Sequence, residues 1–384
     1  MNKKILFLAN HDVGLYNFRR ELIEKLLSDG YEVIISSPFG ERINDFIEMG
    51  CLYQEAHISR HGMNVFEDLK LILHYRKLIK KVKPLVVLTY TIKPNLYGGI
   101  AARSMKTSYI TNVTGLGSAL QNKGLVQKII VALYRIAFKK AFFVFFQNEG
   151  NLKFFENKRI THKRGKLLPG SGVNITKFIP LPLPNGEQTS FVFIARVMKD
   201  KGIDHYLEAA KAIKSKYKHT NFYICGPCEE SYEEILNDYQ EAGIITYLGM
   251  IPDIREILEI THCTVLPSYH EGLSNVLLES AASSRPNITT NINGCKEVVE
   301  DGVTGFLVEP KSTEALILGI EKFLCLDDEE RKKMGENGRL KVEKEFDRQI
   351  VVQAYMQIIN EIVKAPSLEH KEEGVDGFIR EAHQ

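Results

Sequence analysis

Cys263-Thr264-Val265-Leu266-Pro267-Ser268-Tyr269-His270-Glu271-Gly272-Leu273-Ser274-Asn275-Val276-Leu277-Leu278-Glu279 passes from a strand through a break into a helix. Cys263 to Leu266 has the short apolar run of a buried strand, Pro267-Ser268 ends it, and a helix opens near Leu273 and runs to Ser283. The first turn of such a helix presents unpaired backbone N–H groups and the positive end of the helix dipole, which together favour phosphate. Gly272 lets backbone approach closely. Glu279, deeper in the helix, is placed to accept hydrogen bonds from a diol such as a ribose, and Glu271, in the loop, from a sugar. Two glutamates at this spacing mean little alone; their placement around a strand–loop–helix pocket is informative.

The same alternation extends outward. Strands at Phe191 to Ile194, Phe222 to Cys225 and Thr246 to Leu248 alternate with helices at Ile203 to Tyr217, Tyr232 to Tyr239 and Ile254 to Ile260. A strand at Asn287 to Thr290 and helices to about Lys364 follow. A separate series fills the N-terminal half. Ile5 to Ala9, Leu15 to Leu27 and Tyr31 to Ser36 form a strand–helix–strand unit, with further strands at Leu85 to Leu88, Tyr109 to Asn112 and Phe142 to Phe146. Between the two series, Leu181-Pro182-Leu183-Pro184-Asn185-Gly186 breaks both periodicities. The expected class is α/β: two doubly wound, Rossmann-like domains over 1–180 and 187–350 with a cleft between them. A helix over 351–364 is expected to return to the first domain, and 365–384 to be a polar tail. Ligands in such sheets bind beyond the carboxyl ends of the strands.

The composition, 44% hydrophobic and 26% charged over 384 residues, is that of a folded chain and excludes a disordered one. The net charge of +2 hides an asymmetry: residues 1–180 carry 28 Lys+Arg against 13 Asp+Glu, and residues 181–384 carry 22 against 35. A basic half suits an anionic partner: a membrane surface, a nucleic acid or a phosphorylated substrate. Phe66 to Lys83 places Lys70, Arg76, Lys77, Lys80, Lys81 and Lys83 beside helically spaced apolar residues. Gly124 to Phe146 adds Lys128, Arg135, Lys139 and Lys140. Such helices lie on anionic membranes, each basic residue adding ~1 kcal/mol, or are core helices with a solvated basic back. The opening MNKKILFLANHDVG lacks the apolar core of a signal peptide and reads as a first strand, and no uncharged run reaches the ~18 residues of a membrane span. The expected location is cytoplasmic.

Arg196 and Lys201 follow the strand Phe191 to Ile194, where a planar fork and a compact charge can neutralise a diphosphate. Cys225-Gly226-Pro227-Cys228 has the spacing of a redox pair or half a zinc site, but it lies inside a long α/β pattern without a second ligand pair, so a strand-end glycine with two incidental thiols is the simpler reading.

Arg196, Lys201-Gly202, Cys225-Gly226-Pro227, Leu266-Pro267-Ser268, Glu271, Glu279 and Gly302 with Gly305-Phe306-Leu307-Val308 together resemble the C-terminal half of the family-four retaining glycosyltransferases of the GT-B fold. His11-Asp12-Val13-Gly14-Leu15-Tyr16-Asn17-Phe18-Arg19, Val113-Thr114-Gly115-Leu116-Gly117-Ser118 and Gly170-Ser171-Gly172-Val173-Asn174 are similar to bacterial members that build capsule, exopolysaccharide or O-antigen units. The resemblance covers about residues 3–364. It implies an acceptor-binding first domain and a donor-binding second one. Arg196 and Lys201 would hold the donor diphosphate, Glu271 the sugar and Glu279 the ribose, with Gly226, Gly272 and the backbone at Leu273, Ser274 and Asn275 beside the nucleotide sugar and Gly14 approaching from the other domain. It further implies a UDP-sugar as donor substrate, no cofactor, no metal, a polyprenyl-diphosphate-linked glycan as acceptor, an anionic membrane surface on the inner face of the cell membrane, and no nucleic acid. Where many relatives carry a sugar-facing His, this chain reads Thr89-Tyr90-Thr91-Ile92-Lys93. Tyr90, Thr91 and Lys93, with His11, Tyr16, Thr114 and Gly115, are the expected acceptor or sugar contacts. A nucleotide-sugar epimerase of the same fold, a redox protein using the cysteine pair and a non-catalytic binder are the competing readings.

Overall fold

Apolar runs too short for helices and joined by amphipathic helices can satisfy their backbone only by pairing side by side. The structure, a computed structural model, describes residues 3–58, 65–115, 124–160 and 164–364. Leu116-Gly117-Ser118 of the family resemblance and the expected tail at 365–384 lie outside the described residues.

The first domain runs β1 (Lys4–Leu8), α1 (Asp12–Ser28), β2 (Glu32–Ser37), α2 (Ile43–Glu48), β3 (Leu52–Glu55), α3 (Val65–Val82) and β4 (Val86–Tyr90). A π-helical turn (Pro94–Gly98) continues into α4 (Gly99–Ser104), and β5 (Ser108–Val113), α5 (Leu125–Phe138), β6 (Phe143–Phe146), α6 (Glu149–Asn157) and β7 (Gly165–Leu167) follow. Its strands are parallel in the order β3-β2-β1-β4-β5-β6-β7. The second domain runs β8 (Thr189–Ile194), α7 (Ile203–Lys216), β9 (Thr220–Cys225), α8 (Glu233–Glu241), β10 (Thr246–Tyr247), α9 (Ile254–Ile260), β11 (Cys263–Leu266), α10 (Asn275–Ala282), β12 (Asn287–Thr290), β13 (Gly305–Val308), α11 (Thr313–Leu324) and α12 (Asp328–Glu345). Its parallel order is β10-β9-β8-β11-β12-β13. In each sheet the order reverses beside the first strand, between β1 and β4 and between β8 and β11.

Alternation along β1 explains the two cores of the first sheet: Ile5 and Phe7 face one cluster, Leu6 and Leu8 the other. The last helix, α13 (Arg348–Lys364), belongs to the first domain's core. Val351, Val352, Tyr355, Met356, Ile358, Ile359 and Ile362 pack with Leu22, Ile23, Leu26, Tyr90 and Phe145. At about 1.5–3 kcal/mol for each buried side chain, this gross gain is on the order of 10 kcal/mol or more before ordering entropy, enough to anchor the returning chain. At the crossing, Val173 N–H donates to the Phe346 carbonyl at 2.8 Å and Arg348 N–H to the Val173 carbonyl at 2.9 Å. The Arg348 guanidinium lies 2.9 Å from Glu21 and also donates to the Gly172 and Asn17 carbonyls.

At the cleft, the starts of α1 and α10 differ from the sequence expectation. Gly14 sits in the first turn of α1 and not in the loop before it, because His11 caps the helix: its Nδ1 accepts from Gly14 N–H at 2.9 Å. The helix expected from Leu273 begins at Asn275, with Ser274 as N-cap.

Candidate active site

The carboxyl ends of β8 and β11 come together where the second sheet reverses, and their loops are knitted by backbone. Tyr269 N–H donates to the Asp200 carbonyl at 2.9 Å. Gly202, at φ +75°, ends the turn Lys199–Lys201 and packs on Pro267, whose carbonyl oxygen lies 2.0 Å from where a Cβ would be. That closeness sets Lys201 Nζ 2.6 Å from Glu271 Oε1, with the two side chains 21% and 13% exposed. An ion pair this sheltered feels less screening than a surface pair. Arg196 is looser: 61% exposed, it stands 3.8 Å from Glu229.

Beyond the pair, the N-cap residue of α10, Ser274, makes no side-chain capping hydrogen bond. The Ser274 N–H is already used, donating to the Gly294 carbonyl at 2.8 Å, so the expectation that it meets phosphate does not hold. Asn275 and Val276, at the start of the helix, line a cleft of ≈ 650 Å³ together with Arg196, Lys201, Glu271, Leu273, Ser274 and Glu279. Opposite them the first domain contributes α1, including Tyr16 and Glu21. Among the described residues no group donates a hydrogen bond to the Glu279 carboxylate. Desolvation lifts it from 4.5 to about 7, against the pull of the Arg348 and Lys177 charges. A half-buried carboxylate without donors among the described residues, one turn into α10 from its open start, is arranged to receive hydroxyl donors from a bound molecule.

The comparisons with known proteins agree with this geometry. A family model described as glycosyl transferases group 1 matches residues 175–341, and one described as glycosyl transferase 4-like matches residues 4–148. The chain thus carries group 1 and glycosyl transferase 4-like domains. It is 27% identical over 94% of its length to the N,N'-diacetylbacillosaminyl-diphospho-undecaprenol alpha-1,3-N-acetylgalactosaminyltransferase of Campylobacter jejuni, covering 99% of that protein. To the capsular polysaccharide biosynthesis glycosyltransferase CapM of Staphylococcus aureus it is 28% identical, over 94% of this chain and 98% of the relative. Among solved structures, a Rickettsia africae glycosyltransferase superposes with a TM-score of 0.77 at 22% identity, over 95% of this chain and 100% of that one. Anabaena HepE, solved with UDP and glucose, gives 0.76 at 15% identity, over 94% and 100%. The fold of this glycosyltransferase is therefore GT-B.

Other expected contacts of the glycosyltransferase fall elsewhere. Tyr90 does not face a sugar. It is 5% exposed in the first core, stacked on Phe7 with centroids 5.9 Å apart and beside Tyr355 of α13, with the Arg19 guanidinium 5.1 Å from its ring. Strand alternation aims Tyr90 at the face that α13 covers. Lys93 is held 3.3 Å from Asp68 of α3 in a buried pair, and so is not a free sugar contact. Thr91, at φ +72°, is partly buried in the turn after β4. Gly226 lies outside the cleft lining; its φ of +136° and the Ala195 carbonyl, 1.9 Å from a would-be Cβ, make it a packing glycine. Gly14 and His11 likewise serve the cap of α1. Gly272 meets the other domain: a Cβ there would lie 2.0 Å from the Thr114 carbonyl oxygen. Thr114, followed by the partly buried Gly115, thus stands at the domain seam.

The cysteine pair is not activated. Burial pushes the Cys225 thiol up to about 11, and Cys228 is raised by desolvation and by Glu233 and Glu229, the opposite of a reactive thiolate. Sequence reasoning gave Asn174 no role beyond its place in the motif and missed Lys177, Asp253 and Arg348 in the cleft wall, and Gly294, which packs against Glu271. Only the Asn293-Gly294 turn signal pointed at the last of these.

Proposed function

We propose that the protein transfers a sugar from a UDP-sugar, with retention and without a metal, onto a polyprenyl-diphosphate-linked glycan during cell-surface polysaccharide synthesis. The observation that carries this reading is the cleft where the Lys201–Glu271 pair, the uncapped start of α10 and the donor-free Glu279 carboxylate meet. A diphosphate laid against the α10 start draws Lys201 and Arg196, whose charges offset the negative charge that builds as the bond from the sugar carbon to the phosphate oxygen breaks. Glu271 then turns to the sugar hydroxyls and Glu279 to the ribose. The acceptor hydroxyl forms the new bond, and its proton passes to the departing phosphate oxygen. In this reading the two cations and the helix start do the work that a metal ion does in other transferases.

The acceptor class is supported by the relative from Campylobacter jejuni and by an Escherichia coli relative named a UDP-Gal:alpha-D-GlcNAc-diphosphoundecaprenol alpha-1,3-galactosyltransferase, 25% identical over 74% of this chain and 78% of its own. A seat on the inner face of the membrane is supported by exposed apolar residues on two basic helices: Phe66, Leu69 and Leu73 on α3, and Leu125, Val126 and Ile129 on α5. No helix among the described residues is long and apolar enough to cross a membrane.

A thermal-shift screen of nucleotide sugars tests the donor class. A UDP-sugar at 100 times its Kd stabilises the fold by ~2.7 kcal/mol. Stabilisation by GDP- or ADP-sugars with none by UDP-sugars would overturn the choice of nucleotide.

A further inference from the structure

The donor loop of the second domain is held by a side chain of the first. Asn148 follows β6 and is 2% exposed. Both ends of its amide are used. Its Oδ1 accepts from Asn151 N–H at 2.8 Å and so caps α6. Its Nδ2 points across the seam to the carbonyl of Gly272, with the Glu271 carbonyl 3.5 Å away. The amide orientation follows from these partners: a flip would set oxygen against two carbonyls and nitrogen against an N–H. The contact is close-packed on either side. Gly272 admits no Cβ against Thr114, and a Cβ on Gly150 would lie 2.4 Å from Asn293 Nδ2.

We propose that Asn148 is a positioning residue: by donating to the Gly272 carbonyl it fixes the backbone that aims Glu271, and so couples the first domain to the donor sugar. This rests on the reading of Glu271 as a sugar contact. The resemblance assigned nothing to Asn148, and helix capping alone would explain only half of its amide.

The substitution Asn148→Asp separates the two roles. A carboxylate still caps α6, and is favoured at a helix N-terminus, but it has no proton to give the Gly272 carbonyl and repels it. The experiment compares wild type, Asn148→Asp and Asn148→Ala by thermal melting, UDP binding, UDP-sugar turnover and amide hydrogen exchange of the Tyr269–Asn275 loop. Positioning predicts that Asn148→Asp binds UDP as wild type does but loses about tenfold or more in kcat, with the KM for the UDP-sugar changed far less and faster exchange at Ser274, whose N–H holds the loop to Gly294. Asn148→Ala loses the cap as well and melts lower. Wild-type kcat and wild-type loop exchange in Asn148→Asp would overturn the proposal and leave a helix cap. Absence of any UDP-sugar binding by the wild type would instead overturn the donor reading; the exchange of the loop still decides whether Asn148 holds it.

Discussion

Replacing Glu279 by Gln should make the protein more stable at alkaline pH and a poorer binder of its donor. Burial raises the folded carboxyl from 4.5 to about 7. A carboxyl raised on folding binds more protons folded than unfolded. Its cost is absent below about pH 4.5, grows as pH rises, and is complete above about pH 7. At 1.36 kcal/mol per pH unit the full displacement is on the order of 3 kcal/mol, and somewhat less for a side chain that is partly open to the cleft. Glutamine has no such titration. The stability of Glu279→Gln relative to wild type should therefore climb by about 2–3 kcal/mol between pH 5 and pH 8, or roughly 5–10 °C in Tm for a domain of this size. Donor binding supplies the hydroxyl donors that the carboxylate lacks, so wild-type affinity for a UDP-sugar should rise with pH through about 7. The variant should bind more weakly, with no such rise. Melts of both proteins at pH 5 and pH 8, with titration calorimetry of the UDP-sugar at each pH, decide it. An equal stability difference at the two pH values would refute the desolvated carboxylate.

Gly272→Ala forces a Cβ to within 2.0 Å of the Thr114 carbonyl. The seam must open, at a cost of about 1–3 kcal/mol, and turnover should drop at least tenfold with UDP affinity little changed; melting and kcat measurements check both. Phe66→Ser with Leu125→Ser, at positions 78% and 74% exposed, should leave folding and UDP binding intact but weaken flotation with anionic vesicles about tenfold or more. Equal flotation of variant and wild type would remove these helices from the membrane contact.

The sheets were legible in the sequence because β1 and β8 hold the apolar runs Ile5 to Leu8 and Phe191 to Ile194 and β11 is broken only by Thr264, and because parallel pairing follows from the helices between them. The site was legible where chemistry and local structure coincide, as in Glu271 through Glu279. It was less legible where a distant segment decides. All five residues of β4 are buried, so no polar alternation marks which face Tyr90 takes; that depends on α13 arriving from the far end of the chain. His11 caps α1 where Ser, Thr, Asp or Asn is usual, so apolar spacing alone starts the helix at Leu15, while the observed helix starts at Asp12 and includes Gly14. Lys93 reads as a free cation until Asp68 is brought against it. Gly272 was legible as a close approach, but its neighbour is the Thr114 backbone of the other domain. Asn148 gave no signal, since an Asn before a helix reads only as a cap.

The most direct test is sugar transfer from a UDP-sugar to a polyprenyl-diphosphate-linked acceptor in vesicles, comparing wild type with Lys201→Ala and Glu271→Gln. The account predicts product from the wild type and a loss of about a hundredfold or more in kcat for each variant, with both still folded. Wild-type turnover by both variants would contradict it.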